Sequence, residues 1–420
     1  MALFSPLFSH QRALAPTWTY DARSTLLAGP TVIAVGNARA ILLGTKDGRI
    51  VCLDENGKER WSFATDERIG QTERWFVDTA RVHAIDAPPV VADIDGDGRP
   101  EILAGSERGI LYCLDAGGTL KWKHDCEGQI RAAPAIADIN GDGRQEVLIG
   151  SGNNRLTAIT GNGQELFAYQ GTAPVHSTPG VLHLPKRRTS LIIFGDESGA
   201  LTAITAGQEV AWRVDLKAPI TAAPAFFSDP EEERLVIGTH AGLVACVSEH
   251  GEVVWEYKTG GSVYAAAAIA DLNNDRTAEI VVGSCDNTVH VITLDGRRLW
   301  TYETGFWVTA TPLIADLDGD GTPEVVAGSY DRAIYVLDGP GTYIMDYVPG
   351  IAGIINQAGH YGSVLTSDVG EQTGKLRWKT VLPDMVLGCA LLPTPHGIGI
   401  VASAKNGAVA LLTLGSPKSS

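Results

Sequence analysis

The stretch Asp-Ile-Asp-Gly-Asp-Gly-Arg-Pro-Glu at residues 93–101 returns three more times along this chain of 420 residues. Its copies start at Asp138, Asp271 and Asp316, so that successive starts lie 45, 133 and 45 residues apart. The middle interval is about three steps of 44 residues, which places two further repeats there without the acidic stretch. A period of this length that is sustained along a chain is typical of stacked supersecondary units.

A second marker repeats with the same period and ends each unit. A glycine, three further residues and an aromatic residue recur, and from Trp122 through Trp212 to Trp300 the aromatic positions are 45, 45, 43 and 45 residues apart. Inside a unit, four short runs rich in Val, Ile, Leu and aromatic residues alternate with Gly, Asp and Asn, which predicts four strands. In the second unit we expect these strands at residues 89–92, 101–106, 109–114 and 120–123.

Four short strands repeated every 40–45 residues are typical of propeller blades, whereas a β-solenoid usually has a shorter repeat. The sequence therefore predicts an all-β fold, a single eight-bladed β-propeller, with seven or nine blades as alternatives. Three strands of a last blade are expected at Leu387–Leu392, Gly399–Ala404 and Ala408–Leu414. A strand around Thr17–Tyr20 would complete that blade and close the ring, which removes open sheet edges.

The blade count depends on residues 338–374. We expect Ile334–Asp338 as a third strand and Gly374–Trp378 as the fourth, with an insertion at approximately 339–372. If Gly341–Tyr347 were a separate fourth strand, only 31 residues would remain for a ninth blade, which is short. A second insertion is expected at approximately 65–85, and the whole chain, 1–420, is predicted to be one domain.

Charge and hydropathy restrict the function classes. The formal net charge is −16, which argues against nucleic-acid binding because that needs basic patches. There is no apolar run of 18 residues or more, so we expect no membrane insertion. The N-terminus has neither a basic region nor a sustained apolar region, which predicts a cytoplasmic protein, or an extracellular or periplasmic one if a leader was removed.

The acidic stretch has the chemistry of a calcium loop. Calcium takes six to eight oxygen ligands, and an acidic loop supplies them from alternate side chains, a backbone carbonyl at position 7 and a sharp glycine bend. The loops at 93–101 and 316–324 keep three Asp, both Gly and the Glu. The loop at 271–279 lacks both glycines and is expected to bind most weakly. The alternative is an Asx-rich turn without metal.

Positions 1, 3, 5, 7 and 9 of each loop are the predicted ligands, for up to four calcium ions, and no organic cofactor is expected. They are Asp93, Asp95, Asp97, Arg99 and Glu101; Asp138, Asn140, Asp142, Arg144 and Glu146; Asp271, Asn273, Asp275, Thr277 and Glu279; and Asp316, Asp318, Asp320, Thr322 and Glu324.

These repeats resemble known propeller families. Residues 315–329, Ala-Asp-Leu-Asp-Gly-Asp-Gly-Thr-Pro-Glu-Val-Val-Ala-Gly-Ser, resemble the FG-GAP (integrin α-type) repeat. The ending Thr373–Trp378 resembles the tryptophan-docking end of the PQQ-like repeat. The resemblance covers nearly the whole chain and implies calcium loops between first and second strands on one face, with ligands bound on the other face. Such propellers serve as adhesion modules, scaffolds, lyases and quinone dehydrogenases, so fold alone does not decide function.

The segments that enter the blades predict that second face. Small residues surround one changeable position in each segment, which is the variation expected of a binding rim. The alternative is that these are solvated turn residues. The predicted rim is formed by Asp86, Arg131, His176, Tyr264 and Trp307, together with Trp75 and Phe76 from the first insertion.

Three function classes follow. We expect a non-catalytic, calcium-binding scaffold with a protein partner, or alternatively a glycan, as a monomer or as a subunit of a larger assembly. A polysaccharide lyase-like enzyme would need an axial cluster of basic and acidic residues, for which Arg131, His176 and Asp86 are the candidates. A quinone-dependent dehydrogenase is less favoured because the chain has no vicinal Cys-Cys pair.

Overall fold

The computed structural model describes residues 13–35, 38–65, 81–184, 189–230, 232–343 and 372–415. Within these ranges the chain forms eight four-stranded antiparallel sheets in a ring, without helices. None of the described residues therefore belongs to a helix that could span a membrane. This is the predicted all-β, eight-bladed propeller.

Each blade is a meander of four consecutive strands, except the last, which takes its fourth strand from the N-terminal end. The closing blade contains β30 (Val386–Thr394), β31 (Gly397–Ala404), β32 (Ala408–Leu414) and β1 (Leu14–Asp21). The other seven blades are β2 (Thr31–Val35), β3 (Ala38–Gly44), β4 (Arg49–Asp54), β5 (Glu59–Ala64); β6 (Val90–Ala92), β7 (Glu101–Gly105), β8 (Ile110–Leu114), β9 (Leu120–Asp125); β10 (Ala135–Ala137), β11 (Glu146–Ser151), β12 (Arg155–Thr160), β13 (Glu165–Gln170); β14 (Gly180–Leu184), β15 (Thr189–Gly195), β16 (Ala200–Ile204), β17 (Val210–Asp215); β18 (Ala225–Ser228), β19 (Glu233–Gly238), β20 (Leu243–Ser248), β21 (Val253–Lys258); β22 (Ala268–Ala270), β23 (Glu279–Gly283), β24 (Thr288–Thr293), β25 (Arg298–Glu303); and β26 (Leu313–Ala315), β27 (Glu324–Gly328), β28 (Ala333–Tyr343), β29 (Gln372–Val381).

The ring closes as predicted. β1 pairs antiparallel with β32, with Tyr20 opposite Val409 and Asp21 opposite Ala408. First strands of neighbouring blades contact each other, which places them around the axis. Because the first and last parts of the chain share one sheet, unfolding of the closing blade must open the ring.

The middle strands of the blades are mostly buried. All residues of β7 and β8 are buried, whereas β9 alternates between exposed and half-buried residues. The reason is that neighbouring blades cover both faces of the middle strands; Leu103 and Leu111 of one blade join Val147 and Ile149 of the next in one core cluster. This explains the continuous apolar runs in the sequence.

A tryptophan of each of six fourth strands docks on the following blade, which explains the repeated glycine and aromatic marker. Trp122 Nε1 donates to the carbonyl of Gly161 at 2.9 Å, and its ring covers Gly163. Gly163 has φ +85°, and a Cβ there would lie 2.7 Å from the indole ring. The same indole-to-carbonyl bond is made by Trp18, Trp61, Trp212, Trp255 and Trp300.

The hairpin β28–β29 is longer than predicted. The expected strands Ile334–Asp338 and Gly374–Trp378 are present, but pairing continues to Thr342 with Thr373 and Tyr343 with Gln372. Gly341–Tyr343 therefore extend β28 and do not begin a separate fourth strand, so eight blades are confirmed. The register shifts between Asp338 and Thr342, an irregularity that strand patterns in the sequence do not reveal.

Candidate metal loops and recognition rim

All four acidic loops connect the first strand of a blade to the second. They follow β6, β10, β22 and β26, and the loop glutamate is in every case the first residue of the next strand. The turns on which the tryptophans dock connect third to fourth strands and so lie at the same end of the blades. We call this end the loop face.

Each loop is closed by its own carboxylates. Asp93 Oδ1 accepts from the Gly96 amide at 2.8 Å, and its Oδ2 accepts from the Gly98 amide at 2.9 Å. Glu101 Oε2 accepts from the Ile94 amide at 3.1 Å, which ties the loop to the start of β7. The same bond occurs in the other loops, where the amides of Ile139, Leu272 and Leu317 donate to Oε2 of Glu146, Glu279 and Glu324.

The loop without glycines keeps the same backbone shape. Asn274 and Arg276 have φ +61° and +74°, close to the +76° and +82° of Gly96 and Gly98. A left-handed conformation costs a non-glycine residue roughly 1–2 kcal/mol. The loss of glycine therefore strains the loop at 271–279 without reshaping it, and its predicted weakness would come from strain and lower charge.

Two loops bring three carboxylates together, with one oxygen of each within 4.8 Å of the others: Asp93, Asp95 and Glu101 in the loop at 93–101, and Asp316, Asp318 and Asp320 in the loop at 316–324. The two loops differ in their glutamate. Glu324 beside them is fully buried, and its Oε1 has no hydrogen-bond partner among the described residues. Burial raises the pKa of Glu324 to about 7, opposed by its bond from Leu317 and reinforced by Asp318. A buried carboxylate oxygen without a donor fits a hard cation that takes oxygen ligands.

Two other loops replace one carboxylate by an amide. Asn140 Nδ2 donates to Asp142 Oδ2 at 3.3 Å, and Asn273 Nδ2 donates to Asp275 Oδ2 at 3.0 Å. Asn273 Nδ2 also reaches Glu279 Oε1 at 3.3 Å. In these loops the amide nitrogen partly satisfies the acidic oxygens, and the amide oxygen accepts from the backbone amide two residues on, of Asp142 at 2.8 Å and of Asp275 at 2.9 Å.

The opposite end of the blades carries the predicted rim. Here the turn between second and third strands is bound to the segment that enters the same blade. The repeated bond runs from the amides of Glu107, Glu197, His240 and Tyr330 to the carbonyls of Ala84, Pro174, Pro219 and Trp307. The variable residues of the entry segments therefore lie close to the turns between second and third strands, whose residues also differ from blade to blade.

One part of the rim is charged. Arg131 makes a bidentate contact with Glu107, from Nε at 2.9 Å and from Nη2 at 2.6 Å. His176 Nδ1 lies 2.8 Å from Glu197 Oε1. Asp86, a further predicted rim residue, pairs instead with Arg81 within its own entry segment.

The other part is aromatic, and we call Tyr264, Phe306, Trp307 and Tyr330 the aromatic sector. The rings of Phe306 and Trp307 are stacked with centroids 5.0 Å apart, and Trp307 also contacts Tyr330. Phe306 and Trp307 are each 40% exposed, and Tyr264 is 39% exposed. Tyr264 packs edge-on against His240, whose pKa is lowered by burial.

Sequence reasoning identified the entry positions but not their partners. Glu107, His240 and Tyr330 were not predicted, although each follows a buried Ser or Thr directly after a second strand, a position that recurs in every repeat. Trp75 and Phe76, which were predicted to contribute from the first insertion, lie outside the described residues.

Part of the chain matches the model of a known propeller domain family. The family described as "Lambda-carrageenase beta-propeller domain" matches residues 86–135 and 234–348. A search of curated proteins found no match. The matched ranges cover less than half of the chain, and they include the whole aromatic sector.

Solved structures share the fold. BamB from Moraxella catarrhalis is similar at 14% identity and TM-score 0.63, over 96% of this chain and 98% of that chain. Sqt1 from Saccharomyces cerevisiae is similar at 9% identity and TM-score 0.64, over 97% and 99%. BBS1N, solved in complex with ARL6DN, is similar at 13% identity and TM-score 0.51, over 78% and 91%. At these identities the likeness establishes that the chain is a β-propeller, and nothing finer.

Proposed function

We propose that this chain is a calcium-binding β-propeller of the FG-GAP and PQQ-like type that acts as a non-catalytic interaction scaffold. The observation that supports calcium most is the fully buried Glu324, whose Oε1 has no partner in the described part of the chain, beside three convergent aspartates. A divalent ion there would balance carboxylates that otherwise repel one another.

The ligands come from this chain in a fixed pattern. At the loop 316–324, the carboxylates of Asp316, Asp318, Asp320 and Glu324 would hold the ion, with the carbonyl of Thr322. The ion would supply positive charge and would tie β26 to β27 next to the axis. Each such ion would offset two negative charges, and four, the largest number predicted, would change the formal charge from −16 to about −8.

The rim is the proposed recognition surface. Arginine and aromatic residues are enriched among the residues that dominate protein interfaces, and here Arg131 lies in the charged part and Trp307 in the aromatic sector. A protein partner agrees with the structure of the similar BBS1N in complex with ARL6DN. We also propose a cytoplasmic location; fractionation of the native host with an antibody to the chain would test it.

A glycan is the second candidate ligand. The carrageenase-type propeller match spans the aromatic sector, and stacked exposed rings such as Phe306 and Trp307 offer a flat face to a sugar ring. Binding and cleavage assays on a panel of sulfated and neutral polysaccharides would test this. Cleavage would favour the lyase-like alternative, whereas binding without cleavage would favour a glycan scaffold.

The calcium proposal is tested by thermal unfolding with calcium and with a chelator. Each site filled at one hundred times its Kd adds about 2.7 kcal/mol to the free energy of unfolding. The unfolding midpoint should therefore rise with calcium, and Glu324→Gln should reduce the rise. An unchanged midpoint in the wild type would remove the support for calcium.

The scaffold proposal is tested by capture of partners from the native host, with and without calcium. Trp307→Ala and Arg131→Ala should reduce capture of specific partners. Val210→Ala is a matched control, because Val210 is an exposed apolar residue of the outer strand β17 and lies away from the rim. Equal capture by wild type and both rim variants would contradict the proposed surface.

A further inference from the structure

The residue before the repeated aromatic of the fourth strand differs among the four blades with acidic loops. It is Lys121 or Arg377 in the blades whose third loop residue is aspartate. In the two blades with Asn140 or Asn273 at that loop position, it is leucine, Leu166 and Leu299. A carboxylate at position 3 and a cation on the fourth strand therefore occur together within this chain.

This pairing equalises the charge of the four loops. With positions 1, 3, 5 and 9 and the strand residue counted, the loops at 93 and 316 have −4 + 1 = −3, and the loops at 138 and 271 have −3 + 0 = −3. Arg60 holds the same strand position in the first blade, where it donates to the carbonyl of Arg39 in β3 at 3.2 Å. A cation at this position thus reaches the loop face of its own blade.

In the loop at 93–101 the cation reaches the ligand oxygens themselves. Lys121 Nζ lies 2.5 Å from Asp95 Oδ2 and 2.8 Å from Glu101 Oε1. Glu101 is 2% exposed, so the ammonium satisfies a buried carboxylate. Both oxygens belong to the predicted calcium ligands, and the ammonium bridges them as a cation would.

In the loop at 316–324 the cation is Arg377, and it lies further from the loop glutamate. Arg377 Nη1 donates to Asp318 Oδ2 at 2.9 Å, and Nη2 lies 3.1 Å from Asp320 Oδ2 and 3.0 Å from Asp338 Oδ1. Its nearest approach to Glu324 Oε1 is 3.7 Å, beyond hydrogen-bond distance. The planar guanidinium therefore neutralises charge but leaves Glu324 Oε1 unsatisfied within the described residues.

We propose that Lys121 is a built-in cation that closes the loop at 93–101 without metal, and that the loop at 316–324 stays open to a divalent ion. This inference rests on the proposed calcium function. Calcium binds carboxylate oxygens at 2.3–2.6 Å. An ion on Asp95 and Glu101 would lie against the ammonium, so the lysine must leave before the loop can fill. The two loops with the most complete acidic pattern are then not equivalent.

The test is calcium titration by isothermal calorimetry on the full chain. Lys121→Met removes the ammonium and keeps an unbranched side chain, and it should bind one more calcium ion than the wild type. In chelator its unfolding midpoint should fall, because Asp95 and Glu101 lose their counter-charge. Leu166→Met changes the same strand position in the next blade, which has no cation, and should alter neither quantity.

Two further variants make the outcomes distinguishable. Lys121→Gln removes the charge but retains a hydrogen-bond donor, and it should also gain a calcium site. It serves as the test if Lys121→Met does not fold. Glu324→Gln should lose one site. If Glu324→Gln loses a site but neither Lys121 variant gains one, the role of Lys121 is wrong while calcium binding stands. If the wild type and all variants bind no calcium, both proposals are overturned.

Discussion

The loop face and the rim use the same blades in opposite ways. On the loop face, four blades repeat one side-chain bond, in which the amide of loop position 2 donates to the loop glutamate. On the rim, the blades repeat only a backbone bond, such as that from the Glu107 amide to the Ala84 carbonyl, and the side chains differ. On the loop face the repeated side chains fix the loop of each blade, whereas on the rim the side chains differ from blade to blade, as the proposed recognition surface requires.

The largest expected effect compares one tryptophan from each face. Trp300 is fully buried, and its Nε1 donates to the Gly339 carbonyl of the next blade at 3.0 Å. Trp300→Ala should lower the free energy of unfolding by about 3–5 kcal/mol, as expected for a large buried side chain. Trp307→Ala on the rim should lower it by less than about 1 kcal/mol, because its ring is partly exposed.

Urea unfolding of both variants at pH 7, in calcium and in chelator, measures this difference. Trp255→Ala is a second loop-face variant, since Trp255 docks on the Leu294 carbonyl at 2.8 Å. If Trp300→Ala and Trp307→Ala lower the free energy of unfolding by similar amounts, the rim also stabilises the fold, and the proposed division between the two faces is wrong.

A smaller effect should come from a hydrogen-bonded network on the rim face, centred on Asp286. Asp286, in the turn after β23, accepts from the Gly260 amide at 2.7 Å and from His290 Nε2 at 3.0 Å. Burial alone would raise the pKa of Asp286, but His290, Gly260 and Ser284 together lower it to about 2. The carboxylate thus contributes stability that is fully present above the ordinary pKa of 3.8 and is lost as pH falls towards 2.

Asp286→Asn should therefore lower the free energy of unfolding by about 2 kcal/mol at pH 7, and the deficit should shrink between pH 3.8 and 2. Urea unfolding across that pH range measures it. Asp295→Asn is the control, because Asp295 lies in an exposed turn of the same blade on the loop face. A deficit that does not change with pH would show that the lost bonds, and not the lowered pKa, cause the effect.

The features that could be predicted from the sequence are those that repeat along the chain. The period located the blades, and the missing last strand located β1 opposite β32, because both follow from patterns within the chain. The contacts of Lys121 with Asp95 and of Tyr264 with His240 were not predictable, because they join residues whose distance depends on side-chain direction and on blade packing. The extended end of β28 was missed because glycine and proline at 339–341 indicate a turn, whereas tertiary pairing with β29 continues the strand.

The smallest effect on stability should come from the charged part of the rim. Arg131 and Glu107 form a bidentate pair in which the side chain of Arg131 is 40% exposed and that of Glu107 is 12% exposed. A single ion pair with one partner largely in solvent contributes about 1 kcal/mol, so Arg131→Ala should lower the urea midpoint only slightly. If the rim is a recognition surface, the same variant should weaken partner capture, since it also frees the Glu107 carboxylate.

Arg131→Ala therefore tests the two faces separately, because it should change stability little and partner capture strongly. Arg377→Ala is the matched loop-face arginine: it contacts Asp318, Asp320 and Asp338 and is only 22% exposed. It should lower stability more than Arg131→Ala and leave capture on the rim unchanged in calcium. Equal loss of stability in both arginine variants, with unchanged capture in both, would contradict the proposed division of the propeller into a stabilising face and a recognition face.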